Sequence, residues 1–244
     1  MLLKRQVLIL GIVLFAINIV AFLPFDLELH RITRILTTSL VFIFFIFKIR
    51  HYSFWIYLIL ILQICSSIGF HYYDMSNGAL LFLAASLLSY LIITLRVAFS
   101  IEWKKIKLFE YIIYLVLFVS NVIFHYSNVT NFEDQIPSAL IKYLVYALGF
   151  SGMTMCLIVA FFNVTNTNTR SSYYIYATFG FVFADFCSMM AYYYEFFPVR
   201  FYFIERSCYA FALCMFLAYA YFDYNTHKKK ISGIKESYQD SVFL

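Results

Sequence analysis

The sequence is short of charge and of residues that break helices. Asp, Glu, Lys and Arg make up only 13% of its 244 residues, about half the share of an ordinary soluble domain, which excludes a chain whose surface is solvated all round. Its three prolines, Pro24, Pro137 and Pro198, all fall at the ends of apolar runs. The interrupted helices on which transporter sites are commonly built are therefore not expected. The cysteines are an odd set of five, Cys65, Cys156, Cys187, Cys208 and Cys214, with no CxxC pair. They read as buried, reduced thiols and exclude a disulfide framework and a thiolate metal site. No lysine lies near the middle of an apolar run, which excludes a retinal-type Schiff base. His71 and His125 end two such runs on the same side, where single histidines ordinarily bond water rather than bridge a metal or haem, so no metal and no cofactor is expected. A basic stripe interleaved with aromatics is also missing, and with it any sign of nucleic-acid binding.

What the chain has in quantity is apolar and aromatic. Hydrophobic residues are 64%, aromatic residues 22%, and the mean hydropathy is +0.81, the composition of a polytopic membrane protein with interfacial aromatic belts. The apolar runs predict an all-α integral membrane protein, a bundle of eight transmembrane helices over 7–24, 35–47, 54–70, 78–98, 108–125, 139–162, 173–194 and 201–222. The second reaches the ~30 Å of a hydrocarbon core only if it starts near residue 32. The first follows Lys4 and Arg5 as a signal peptide would, but it is too long and offers no small-residue cleavage site, so it reads as a retained span. Residues 1–224 form one bundle, 126–137 its longest loop, and 225–244 a polar, loose cytoplasmic tail.

Lysine and arginine orient the bundle. Thirteen fall in alternate connections, from Lys4 through Lys48 and Lys104 to Lys235, whereas the opposite connections hold only Arg31, Arg34 and Arg200. Such a bias places both termini in the cytoplasm. The net charge of +5 is then mainly a topology signal. The expected location is a bacterial inner (plasma) membrane, with membrane lipids and other membrane subunits as the partners to consider.

One charged residue stands out. Asp185 sits in the apolar stretch 180–191, about 18 Å along a helix begun at residue 173 at ~1.5 Å per residue. A carboxylate there costs roughly 2.5–3.5 kcal/mol on insertion scales, so it must be paired, protonated or wet. It is either a functional group or a structural acid that bonds a neighbouring helix. Arg206, a turn and a half into the last span, and Lys142 lie at similar depth; each either pairs with Asp185 or extends outward to headgroups. Glu195 and Glu205, at helix ends, read as solvated rim residues.

The seventh run, with Gly180, Ala184 and Asp185, then Phe197, Pro198 and Arg200, then Tyr209 in the last span, resembles the YhhN family of membrane lysoplasmalogenases. The fourth run, with Gly78, Phe82 and Tyr90, is similar to that family's Gly-x-x-x-Phe helix. The resemblance implies an eight-helix membrane fold and hydrolysis of a lysophospholipid vinyl ether, with Asp185 matching the family acid and Tyr209 the tyrosine of its last span. Two positions depart from the family. The stretch 64–69, with Ser66 and Ser67, lacks the acid that the family carries there, and Ser86, or Ala85 by a shift of one residue, stands where it has a histidine. A single carboxylate cannot readily protonate the ether and activate water in one arrangement. Two readings follow: a noncatalytic relative that binds lipid or serves as a membrane subunit, and a hydrolase using Asp185 as general acid/base within a polar site of Arg206, Lys142, Tyr209, Ser66 and Ser86. A lipid-sized polar cavity around Asp185 would favour the hydrolase, and a dry, plugged interior the scaffold.

Overall fold

An apolar segment inside a bilayer can satisfy its backbone only by bonding to itself. The computed structural model describes residues 2–22, 26–49, 53–194 and 198–242, and it contains helices and no strand among them. The helices are α1 (Leu2–Phe22), α2 (Leu27–Phe44, extended by a π turn over Phe45–Ile49), α3 (Phe54–His71), α4 (Ser76–Ala98), α5 (Leu108–Phe132), α6 (Ala139–Thr165), α7 (Thr169–Tyr193) and α8 (Pro198–Val242). Seven, α2 to α8, are long and apolar enough to cross a membrane. In α1 the apolar helical stretch is Arg5–Asn18. Pro24, Arg50, Glu195 and Phe197 lie outside the described residues.

Three boundaries differ from the hydropathy reading. Helix α2 starts at Leu27, where the Asp26 carboxylate accepts the Glu28 N–H at 2.9 Å as an N-cap. Arg31 and Arg34, assigned to a connection by their charge, are therefore inside the helix. Helix α5 continues past His125 to Phe132, and a 3-10 turn spans Glu133–Gln135. The polar residues there bond their own helix: Asn128 Nδ2 donates to the Phe124 carbonyl at 2.7 Å and Thr130 to that of Tyr126 at 2.9 Å, so polarity did not require a loop. The backbone of α8 likewise stays helical to Val242, through the segment read as a loose tail.

Helix α7 packs along α8, α3 along α4, and α4 along α6, while α1 covers α8 and α2, and α2 lies on α3. The α3–α4 hairpin is tight because it is built on glycine. A methyl group at Gly69 would sit 2.3 Å from the Phe82 nitrogen, and one at Gly78 1.9 Å from the Tyr72 carbonyl oxygen. Helices that associate in lipid without a hydrophobic driving force gain from such close backbone approach. Helix α5 is different. It rests on α6 at the edge of the bundle, with only His125, Val129 and Phe132 buried.

Candidate functional site

Helix α2 carries its polar residues on one inward face: His30, Arg34, Thr37 and Thr38 are buried, at the spacing of successive helical turns. Arg34 is fully buried and joins three helices. Its Nη2 donates to Asp185 Oδ1 of α7 at 3.1 Å and its Nη1 to Glu205 Oε1 of α8 at 3.0 Å. The guanidinium plane lies over the Tyr209 ring at 4.3 Å and the Phe70 ring at 4.7 Å, contacts that a delocalised cation makes at low desolvation cost. Glu205 is bonded in turn by Arg206 Nε at 2.6 Å and by His30 Nε2 at 3.1 Å. The other Asp185 oxygen accepts the Tyr90 hydroxyl of α4 at 2.5 Å.

Two arginines and two carboxylates thus form a neutral cluster, the arrangement under which buried charge is tolerated. It corrects the pairing read from depth. Asp185 is held by Arg34 and not by Arg206, whose bonds go to Glu205. Arg206 Nη1 is buried with no hydrogen-bond partner among the described residues. Glu205, read as a solvated rim residue, is fully buried. Lys142 does not enter the site: it forms a partly exposed ion pair with Glu133 at 3.0 Å near the start of α6.

Below Arg34 a neutral hydrogen-bonded array continues. The hydroxyls of Thr38, Ser67 and Tyr209 lie within 3.1–3.2 Å of one another. Tyr209 donates to Gln63 Oε1 at 3.1 Å, and Gln63 Nε2 to Ser89 at 2.9 Å. Tyr209 is therefore part of the polar core. Ser66 and Ser86 bond each other at 2.8 Å between α3 and α4 and have no bond to Asp185. In the α3–α4 connection the partly exposed Asp74 pairs with Arg31, with Arg31 Nη2 donating at 3.2 Å. That hydrogen bond holds the Asp74 carboxyl below its ordinary pKa. Among the described residues no three His, Cys, Asp or Glu side chains come together as a metal site would require.

A cavity of about 460 Å³ lies on the other side of Asp185, between α4, α5, α6 and α7, within the range of roughly 300–1,000 Å³ typical of ligand sites. Its walls are nearly all apolar, among them Phe118, Leu148, Val182 and Met189, with Asp185 and Tyr90 on the inner side and Asn121 and His125 on α5. Helix α6 carries two glycines at this wall, and side chains of neighbouring helices close against both. A methyl group at Gly149 would lie 2.0 Å from His125 Nε2, and one at Gly152 3.3 Å from Tyr90 Cε2. Leu117 and Phe124 of α5 and Phe179 and Phe183 of α7 line the cavity and are each about half exposed, so it opens sideways between these helices. The interior is accordingly neither a plugged scaffold nor an enclosed polar pocket.

The residues missed by hydropathy, Arg34 and Glu205, left one legible signal: His30, Arg34 and Thr38 recur every four residues, a polar face that only an inward-facing helix explains. No family model matches the chain, and neither a curated protein nor a solved structure shows significant similarity to it.

Proposed function

We propose that this is a noncatalytic lipid-binding membrane protein that takes an acyl chain sideways from the bilayer into the cavity between α5, α6 and α7. The observation that carries the reading is the cavity itself: about 460 Å³, apolar along its walls, with one carboxylate at its inner side. A chain entering between Leu117 and Phe183 would leave lipid without crossing a polar barrier, and the resemblance to the YhhN family likewise points to a lipid with a single hydrocarbon chain. The chain spans the membrane eight times with α1 as the first span, and both termini lie in the cytoplasm of a bacterial inner membrane. Support comes from the lysine and arginine bias, which sharpens once Arg31 and Arg34 are counted in α2 rather than in a connection.

Extraction in mild detergent, followed by identification of bound lipids, tests the proposal. Wild-type protein should retain single-chain or acyl lipids near one per protein, and Gly152→Leu, which projects a side chain into the cavity, should lose them. Equal retention by both proteins would refute it.

A second reading, hydrolysis of a lysophospholipid ether with Asp185 as general acid/base, is favoured by the position of Asp185 on the cavity wall. It ranks lower because both Asp185 oxygens already accept hydrogen bonds, and none of the described residues lining the cavity is a second carboxylate to share acid and base roles. Release of aldehyde from a lysoplasmalogen by wild type but not by Asp185→Asn would reverse the ranking.

A further inference from the structure

The polar groups of the cavity define what kind of head an acyl ligand can bring into it, an inference that rests on the lipid-binding reading above. Among the described residues that line the cavity there is no lysine and no arginine, and the sole acid is Asp185. A phosphate or carboxylate head would enter a low-dielectric space with no cation to meet it and a carboxylate beside it, an arrangement that strongly disfavours binding. A cationic head fares little better. The Asp185 charge is already balanced by Arg34 at 3.1 Å, so a second cation would compete with a buried arginine that is held in place by two carboxylates and two aromatic rings.

A neutral head that donates a hydrogen bond meets neither obstacle. A carboxylate has about four acceptor positions, and among the described residues the side-chain bonds to Asp185 come from Arg34 and Tyr90. Its side chain is about 10% exposed, and it lines the cavity, so acceptor capacity remains on that side. His125 adds no acceptor here: its Nε2 is packed on Gly149, where a methyl group would lie 2.0 Å away, and is buried from the cavity. Asn121 adds a carboxamide: one Nδ2 hydrogen goes to the Leu117 carbonyl at 2.7 Å, and its oxygen is an acceptor.

We propose that the cavity selects single-chain lipids with an uncharged, hydrogen-bond-donating head, such as a glycerol ester or a long-chain alcohol, over lipids whose head carries phosphate or carboxylate. Two acceptors, Asp185 and the Asn121 oxygen, and no cation around an apolar chain site match a hydroxylated head.

The test uses the full-length protein, depleted of lipid in detergent, with 1-monooleoylglycerol, oleate and oleoyl lysophosphatidate added separately and bound lipid counted by native mass spectrometry. The three probes share one chain and differ only in the head. Monooleoylglycerol should bind at least tenfold more tightly than either anion, and Gly152→Leu and Met153→Trp, which fill the cavity from a buried and from a partly exposed position, should both abolish the difference. Equal affinities, or tighter binding of an anion, with binding still lost in the filled variants, would overturn the head-group selection while leaving the acyl site standing. Failure of all three lipids to bind, or binding unaffected by both fillings, would overturn the lipid-binding reading and this selection with it.

Discussion

Arg34 is the point at which the buried cluster can be probed most sharply. Replacing it with Met keeps much of the volume and removes the charge, leaving the cluster with Asp185, Glu205 and Arg206. Glu205 retains Arg206 and His30, whereas Asp185 keeps only the Tyr90 hydroxyl. At 3.1 Å the Arg34–Asp185 attraction is about 5 kcal/mol in an effective dielectric of about 20, and breaking a buried pair from one side costs roughly 3–5 kcal/mol. Asp185→Asn should cost a similar amount by leaving Arg34 with excess positive charge around it. The double variant Arg34→Met with Asp185→Asn restores neutrality, so the two losses should not add: the coupling should be about 2–3 kcal/mol. The matching cycle of Asp185→Asn with Arg206→Met should show less than half of that, because Arg206 bonds Glu205 and not Asp185. Stability is read from unfolding in detergent by intrinsic fluorescence, with each single and double variant in the same detergent. Additive losses in the Arg34 cycle, or a larger coupling in the Arg206 cycle, would refute the assignment of Asp185 to Arg34.

Three further outcomes are expected. Because the Arg31 hydrogen bond lowers the Asp74 carboxyl below its ordinary 3.8, the pair contributes its full stability above that pH and loses it as pH falls through the lowered folded value. With Asp74 62% exposed on its side chain, solvent screening limits this to about 1 kcal/mol or less. The melting difference between wild type and Asp74→Asn should therefore be present at pH 7 and vanish near pH 2, and a difference constant with pH would contradict it. Gly69→Val should destabilise by roughly 3 kcal/mol or more, since its Cβ would meet the Phe82 backbone at 2.3 Å; wild-type melting in this variant would mean that α3 and α4 are not so closely packed. Reporter fusions after Asp134 and after Lys230 should report opposite sides of the membrane, and the same answer from both would defeat the eight-span topology.

Much of the fold was legible because hydropathy is a local sum. Each run from α3 to α8 carries its own apolar content, and a bilayer leaves such a run no choice but helix, so composition alone specified a helical membrane protein and most of its spans. Asp185 was legible too, since one carboxylate in an apolar run is costly wherever it lies. Its partner was not. Arg34 is 151 residues away from Asp185 and 171 from Glu205, and a charge is read locally as the end of a helix when its neutralising partners are on other helices. The same locality assigned Arg31 and Arg34 to a connection, Glu205 to a wet rim and Lys142 to the polar site. The cavity was out of reach for a related reason. Gly149 and Gly152 are ordinary glycines in sequence, and only the tertiary structure brings His125 and Tyr90 of two other helices against them at the cavity wall. Sequence determined which residues must leave water; tertiary structure decided which charges meet and where space is left, because both depend on the approach of helices far apart along the chain.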